Sequence, residues 1–339
     1  MKQNNIFKQL LIKASSICKS TNLEANQLAL VDYMPNKSTA QVSVCDLEVE
    51  LIFEINVIPN DVRVKALVDM QQLSKLWKSN RDVQILMDGV SVGKFTIGWD
   101  NTKLLENFAS FGINYAIDNF NDLPEEVHDA IKRVTPAMAK ADVRYYLNGI
   151  NFDERGVTCT DGHRLHHVKI KELPNFIMSR AGWINIPIKA TNLKYTLVNT
   201  HYMHVSNDDF ILISKTINGK YPNYNEAIKG CGGNRNSIND KDLLINQCKE
   251  ISSVTKKNTL CAVFDGGTIQ TMKDVPISYK DECILPKLEQ PIGLNPEYLV
   301  DALGETVGDV SLFTGSPDQS VLIEDNNEFI GVVMPMKID

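Results

Sequence analysis

The residues best suited to chemistry lie in one short segment. Asp161, His163, His166 and His167 fall within seven positions, with His201 and His204 further along. Imidazoles and a carboxylate this close can ligate a metal or share acid–base work in hydrolysis. No HExxH pattern is present and no carboxylate spacing completes a ligand set, so neither metal nor cofactor is expected. Asp161-Gly162 reads more simply as a tight turn. A metal-dependent phosphoesterase built on Asp161 and the histidines is therefore the weakest functional reading. The segment GVSVGK at 89–94 is one residue short of a Walker loop and lacks the hydroxyl residue after its lysine. It also lies between expected strands, where no helix N-terminus could receive a phosphate. The seven cysteines (18, 45, 159, 231, 248, 261 and 283) are odd in number, scattered and free of any CxxC pair. They support neither a disulfide framework nor a zinc ribbon.

The elements that must position such residues belong to an ordinary globular chain. Its 339 residues are 43% hydrophobic and 23% charged, with a net charge of −7. That length corresponds to two or three domains at about 150 residues each. Apolar runs such as 209–214 and 329–336 are far shorter than the roughly 18 residues a membrane span requires. Residues 1–11 contain no secretory apolar core, so a soluble, cytoplasmic protein is expected. The acidic balance argues against a simple basic nucleic-acid binder but allows positive charge confined to one surface.

Internal repetition organises the rest. A strand ending in a polar residue and Asp closes at Asp46 and at Asp161, 115 positions apart, and Asp265 follows 104 later. A strand built on Phe recurs at Phe95, Phe210 and Phe329, separated by 115 and 119. Amphipathic helices expected at 69–81, 187–200 and 295–306 align Leu73, Leu193 and Leu299. Opening helices are expected at 7–19, 124–141 and 240–258, with apolar stripes such as Ile6, Leu10, Ile12, Ile17 and Leu243, Leu244, Cys248, Ile251. Alternating strands such as 49–55 are separated by turn dipeptides at 88–89, 148–149, 161–162, 218–219 and 265–266. The fold class is α+β, with three domains of similar fold near 1–122, 123–238 and 239–339, each pairing two helices with antiparallel sheet.

Charge is unevenly divided among the six expected helices. In chain order they carry +3, +2, 0, +2, +1 and −3, which leaves −12 for the sheets and loops. Solvated helix faces explain part of this. The sharper reading is a helix-lined positive surface on an acidic body, suited to sequence-blind phosphate contacts. The acidic last helix, with Glu297, Asp301 and Glu305, runs against a uniform version of it.

Five segments carry a family resemblance. They are 143–149 (VRYYLNG), 160–165 (TDGHRL), 214–215, 219–224 (GKYPNY) and 332–337 (VVMPMK), with 45–50 and 292–303 in support. In this order and spacing the chain resembles the bacterial beta sliding clamp, the beta subunit of DNA polymerase III. The resemblance spans all three blocks and is densest in the middle and last. It implies a head-to-tail homodimer forming a ring, with helices inside around duplex DNA and sheets outside. Such a ring performs no catalysis. It tethers the replicative DNA polymerase, is loaded by a separate clamp loader and serves other proteins bearing clamp-binding motifs.

The resemblance also assigns residues. A partner-peptide cleft is implied at Leu147, Thr160, Gly162, His163, Arg164, Leu165, Pro222, Ser320, Val332, Met334, Pro335 and Met336. Leu, Val, Pro and Met suit an adaptable apolar pocket. Glu226 and Ala227 depart from the family pattern of a basic and a larger apolar residue, implying a wider and more acidic pocket. DNA-facing cations are expected at Lys8, Lys13, Lys75, Lys78, Lys132, Arg133, Lys140, Lys189, Lys194, Lys249 and Lys256. Phe95, Ile97 and Val254 match the ring joint, although Phe95 and Ile97 are also simply alternate residues on one strand face. A clamp-like module that captures clamp-binding proteins without encircling DNA is the alternative, motivated by Glu226, the acidic last helix and the divergent first block.

Overall fold

One element order recurs three times along the chain: a helix, four strands, a second helix and three strands. The computed structural model describes residues 3–77, 81–112, 120–198, 201–255, 260–273, 275–283, 290–326 and 328–338. The first pass comprises α1 (Gln3–Ser20), β1 (Ala29–Tyr33), β2 (Thr39–Cys45), β3 (Val49–Asn56), β4 (Val64–Val68), α2 (Met70–Leu76), β5 (Val83–Ile85), β6 (Gly89–Val92) and β7 (Phe95–Gly98). After β8 (Asn121–Asp122) the second has α3 (Glu125–Val134), β9 (Gly149–Asp153), β10 (Gly156–Thr160), β11 (Arg164–Lys169), β12 (Phe176–Ser179), α4 (Arg180–Asn185), β13 (Lys194–Val198), β14 (Tyr202–Ser206) and β15 (Phe210–Lys215). A connector holding α5 (Tyr224–Gly230) and β16 (Asn234–Ile238) leads to the third. That pass has α6 (Lys241–Val254), β17 (Ala262–Asp265), β18 (Thr268–Thr271), β19 (Lys280–Glu282), β20 (Ile292–Leu294), α7 (Pro296–Gly304), β21 (Val310–Thr314), β22 (Val321–Asp325) and β23 (Phe329–Val333), followed by β24 (Pro335–Met336).

The residues pack as two units, 1–124 with 178–216 and 125–177 with 217–339. In the first unit an eight-stranded sheet runs β4-β1-β2-β3-β15-β14-β13-β8 and a small sheet runs β5-β6-β7. The second unit holds the order β12-β9-β10-β11-β23-β22-β21-β16 and a five-stranded sheet β19-β18-β17-β20-β24. The first four strands of every pass thus lie fourth-first-second-third, and the last three lie in sequence. In the first two passes the third strand also pairs with the closing strand of the next pass, β3 with β15 and β11 with β23.

Local chemistry accounts for the helix boundaries. The Asp69 carboxylate accepts the Gln71 and Gln72 N–H groups to start α2, Asp240 accepts that of Leu243 to start α6, and Asn295 accepts those of Glu297 and Tyr298 to start α7. Each side chain satisfies donors that a first turn leaves without partners. In α3, Glu125 and Glu126 occupy the positive end and Lys132 and Arg133 the negative end of the helix dipole.

Several expectations differ from the structure, and the opening helix expected at 124–141 ends at Val134, where a 3-10 turn follows at Thr135–Ala137. The second helix of the middle block is α4, started by the Ser179 hydroxyl accepting the Gly182 N–H, and residues 194–198 form β13. Leu193 and Leu197 share a helical spacing that is also even, and β-branched neighbours decide for a strand. Leu193 is therefore not the helical counterpart of Leu73 and Leu299. Asp265 lies at the β17–β18 turn, one hairpin earlier in its pass than Asp46 and Asp161, which end second strands. In α1 the buried stripe is Leu10, Leu11, Ala14, Ile17 and Cys18, with Ile12 exposed, and Leu243 is exposed on α6 while Leu244, Cys248 and Ile251 are buried.

Replacing Asn295 by Ala removes both cap bonds of α7 and lowers stability by about 1 kcal/mol. The urea midpoint drops with unchanged slope.

Candidate functional site

The TDGHRL segment is the turn between β10 and β11. The Asp161 carboxylate accepts the His163 and Arg164 N–H groups at 2.9 and 3.1 Å, and the Thr160 hydroxyl donates to the Arg164 carbonyl at 2.6 Å while accepting the Gly162 N–H at 3.1 Å. Gly162 has φ +91°, and a Cβ there would sit 2.7 Å from the Arg144 guanidinium, so this position needs glycine. Arg144 is held over the turn by Asp142, whose carboxyl that hydrogen bond lowers to about 2.

Arg164 braces the turn against α7. Its Nε donates to Asp161 at 3.0 Å, its Nη1 pairs with Asp301 and its guanidinium lies 4.3 Å above the Tyr298 ring. Beyond the turn, Leu165 pairs in register with Val332, and the Met334 N–H donates to the His163 carbonyl at 2.9 Å. Leu165, Val332, Leu322, Ile330 and Tyr224 form one apolar cluster, against which Tyr221, Ile228, Cys231 and Phe313 pack. The connector is held down by two phenols. Tyr221 accepts the Thr160 N–H at 3.0 Å, and Tyr224 donates to Asp153 at 2.9 Å. Burial raises the pKa of both.

The strand pairing brings together Thr160, Gly162, His163, Arg164, Leu165, Val332 and Met334. Leu147, Leu165 and Val332 are buried, whereas Gly162, His163, Pro222 and Met334 are exposed. Pro335 and Met336 are half-buried on β24, paired with Leu294 and Gly293 of β20. Ser320 is half-buried just before β22, and Glu226 and Ala227 are exposed on α5. The arrangement is an apolar floor with a polar, turn-built rim. Tyr221, Tyr224, Tyr298 and Asp301 complete it without having been expected. The two connector tyrosines lay inside a quoted motif, but nothing local marks Asp301, 137 positions from its partner Arg164.

His166 and His167 are consecutive on β11 and so face opposite sides of the sheet. His166 Nδ1 lies 3.0 Å from the Arg133 carbonyl, and His167 Nδ1 lies 2.8 Å from the Thr158 hydroxyl. Burial lowers the pKa of each to about 4. Among the described residues no group of three or more His, Cys, Asp or Glu is placed to hold a metal ion.

A family model described as the DNA polymerase III beta subunit, central domain, matches residues 123–223. The beta sliding clamp of Pseudomonas aeruginosa is 27% identical over 306 residues, covering 83% of this chain and 78% of the relative. That of Buchnera aphidicola is 23% identical over 372 residues, covering 98% of each. The solved DNA polymerase sliding clamp from Caulobacter crescentus superposes with a TM-score of 0.81 at 18% identity, over 99% of this chain and 98% of that one. The DNA polymerase III subunit beta from Pseudomonas aeruginosa gives 0.80 at 20% identity over 98% of each. The chain is similar to the bacterial beta sliding clamps over most of its length.

It has the sliding-clamp fold, and on that fold the expected DNA-facing cations separate into groups. Lys8, Lys75, Lys140, Lys189 and Lys249 are exposed, and so is Lys194, on strand β13 instead of a helix. Lys132 is exposed and pairs with Asp129 at 2.9 Å. Lys13 is half-buried and donates to the Ile184 carbonyl, and burial lowers its pKa. Arg133 corrects its assignment. It pairs with Asp325, whose side chain is fully buried, donates to the Glu305 carbonyl and stacks over Phe329 at 4.9 Å, so it is a half-buried structural residue. Lys78 and Lys256 lie outside the described residues. Of the residues expected at the ring joint, Phe95 is exposed beneath Arg81, Val254 is half-buried and Ile97 is buried.

No helix among the described residues is long and apolar enough to cross a membrane.

Between pH 6.5 and about 4 the folded chain binds fewer protons than the unfolded one, because His166 and His167 are held neutral. Their contribution is therefore intact above pH 6.5 and is lost as the pH falls toward 4. Urea titrations across that window show a declining midpoint, and His167→Leu flattens the decline.

Proposed function

We propose that this chain is a DNA sliding clamp, a non-catalytic processivity subunit. Two copies close head to tail around duplex DNA and hold the replicative polymerase through the cleft at the β10–β11 turn and Met334. One observation carries the reading. In the first two passes the third strand pairs with a closing strand, β3 with β15 and β11 with β23. Their remaining counterparts, β19 and β7, each end a sheet among the described residues. Pairing β7 of one copy with β19 of another repeats the same joint a third time, and doing so twice closes a dimer.

Charge supports that pairing. Arg81 and Lys94 flank Phe95 at the β7 edge, whereas β19 carries Lys280, Asp281 and Glu282 and is net acidic. Exposed edge strands bearing opposite charges favour one partner over unselective pairing. In this reading the domains are 1–122, 123–238 and 239–339. Lys8, Lys75, Lys140, Lys189, Lys194 and Lys249 supply weak, sequence-blind phosphate contacts that permit sliding. Loading falls to a separate ATP-using clamp loader. Other proteins with clamp-binding motifs share the cleft, and the site of action is the cytoplasm. The acidic α7 is less opposed to DNA than its composition implies, since Asp301 pairs with Arg164 and burial raises the pKa of Glu305.

Light scattering across a dilution series gives a particle of twice 38.0 kDa. Asp281→Lys with Glu282→Lys reduces it to a monomer, and added salt weakens the wild-type dimer. A wild-type monomer at micromolar concentration overturns ring closure and favours capture of clamp-binding proteins without encircling DNA. Met334→Glu, at an exposed position, lowers affinity for a polymerase-derived peptide at least tenfold while leaving the circular dichroism spectrum unchanged.

A further inference from the structure

The β10–β11 turn and its joint with β23 have a second copy in the other unit. Asp46 accepts the Glu48 and Val49 N–H groups at 3.0 and 2.9 Å, as Asp161 accepts those of His163 and Arg164. Leu47 has φ +74° where Gly162 has +91°. The Lys215 N–H donates to the Glu48 carbonyl at 3.0 Å, as that of Met334 donates to His163 at 2.9 Å. Glu50 faces Cys45 and Ile213 in register, as Leu165 faces Thr160 and Val332. The backbone frame of the cleft is thus present twice, with a carboxylate replacing the apolar floor in one copy.

That carboxylate is buried and engaged by the chain itself. Glu50 accepts the Ser110 hydroxyl at 2.8 Å and the Phe111 N–H at 2.9 Å. One residue earlier, the buried Asn26 side chain donates to the Ala109 carbonyl at 2.8 Å and accepts the Ala109 N–H at 3.0 Å. The Phe111 ring lies 5.2 Å from Tyr202, and Lys215 Nζ is 5.9 Å from its centroid. Tyr202 pairs with Lys215, which holds the place of Met334. Two buried polar side chains and an aromatic seat are therefore devoted to residues 109–111. A cavity of about 800 Å³ continues beside them, lined by Ser110, Glu50, Leu104, Phe108, Leu30 and Lys65 among others.

We propose that residues 109–112 are a built-in occupant of this second cleft, a strap that leaves the chain one open peptide site instead of two. The ligand class the second cleft takes is a short peptide in which a small hydroxyl residue precedes an aromatic one. The inference rests on reading the β10–β11 turn and Met334 as a peptide cleft. A tethered segment has an effective concentration on the order of millimolar, so free peptide at micromolar concentration does not displace it.

The probe is the peptide Asn-Phe-Ala-Ser-Phe-Gly, the sequence of residues 107–112. Methyl-labelled full-length chain reports the two clefts separately, through Ile213, which shares the sheet face of Glu50 and Tyr202, for the strapped copy and Met334 for the open one. In wild type the Ile213 signal stays fixed at micromolar peptide. In Phe111→Ala it shifts with at least tenfold tighter apparent affinity, and adding Glu50→Leu abolishes the gain. A folded Phe111→Ala chain whose Ile213 signal remains fixed overturns the proposal, as does a wild type that responds equally. If Phe111→Ala loses its dispersed methyl spectrum, Phe111→Leu makes the same prediction with a smaller gain, and its failure overturns the strap equally. Met334 shifts alone would concern the open cleft. Failure of the ring reading would appear in the molar mass and leave the Ile213 signals unaffected.

Discussion

The pairing of a third strand with the closing strand of the following pass underlies everything else described. β11 meets β23 across more than 150 residues of sequence, and β3 meets β15 in the same way. Closing such loops costs entropy that grows only slowly with length, and the return is a continuous ladder of backbone hydrogen bonds with buried side chains on both faces. Val49, Leu51, Phe53 and Ile55 fill one face of β3, while Val332 and Leu165 meet across β11 and β23. The same pairing sets the Met334 N–H on the His163 carbonyl and so creates the cleft rim. An edge strand with no such partner keeps its ladder available, as β7 and β19 do among the described residues.

Burial of polar groups distinguishes structural residues from surface ones on this frame. Arg133 and Asp325 are taken out of water together, and the cost is offset by the Glu305 carbonyl and the Phe329 face as well as by their own attraction. His166 and His167 remain neutral because the strand interior disfavours the charged ring. Glu50 is the counterpart in the other unit, a carboxylate held by a hydroxyl and a backbone N–H. In each case a residue type that suggests chemistry is held in structural hydrogen bonds.

Much of the fold was legible because repetition leaves marks at fixed spacing. Asp46 and Asp161, and Phe95, Phe210 and Phe329, fall on equivalent strands in the structure. Short motifs tied to one turn, such as TDGHRL, were legible for the same reason, since the Asp161 and Thr160 hydrogen bonds are local. The helix expected at 187–200 failed because an even spacing of leucines serves strand and helix alike. Asp265 was misaligned because a polar residue and Asp can end either of two consecutive hairpin strands.

Types, spacings and local turns were thus determined by the sequence itself: three passes of helix and sheet, the caps at Asp69, Asp240 and Asn295, and the Asp-centred turns. Only the tertiary structure decided which charges reach solvent. Lys132 and Arg133 are neighbours of similar charge on α3, yet one is exposed and the other is half-buried and paired with Asp325, 192 positions away. It likewise decided that Leu165 joins an apolar cluster with Val332 and Tyr224 while Glu50 is bonded to Ser110 and Phe111, though both hold the same place in the same turn. Hydrogen bonds within a turn depend on residues a few positions apart and can be read from them. Burial depends on what the rest of the chain brings to that face.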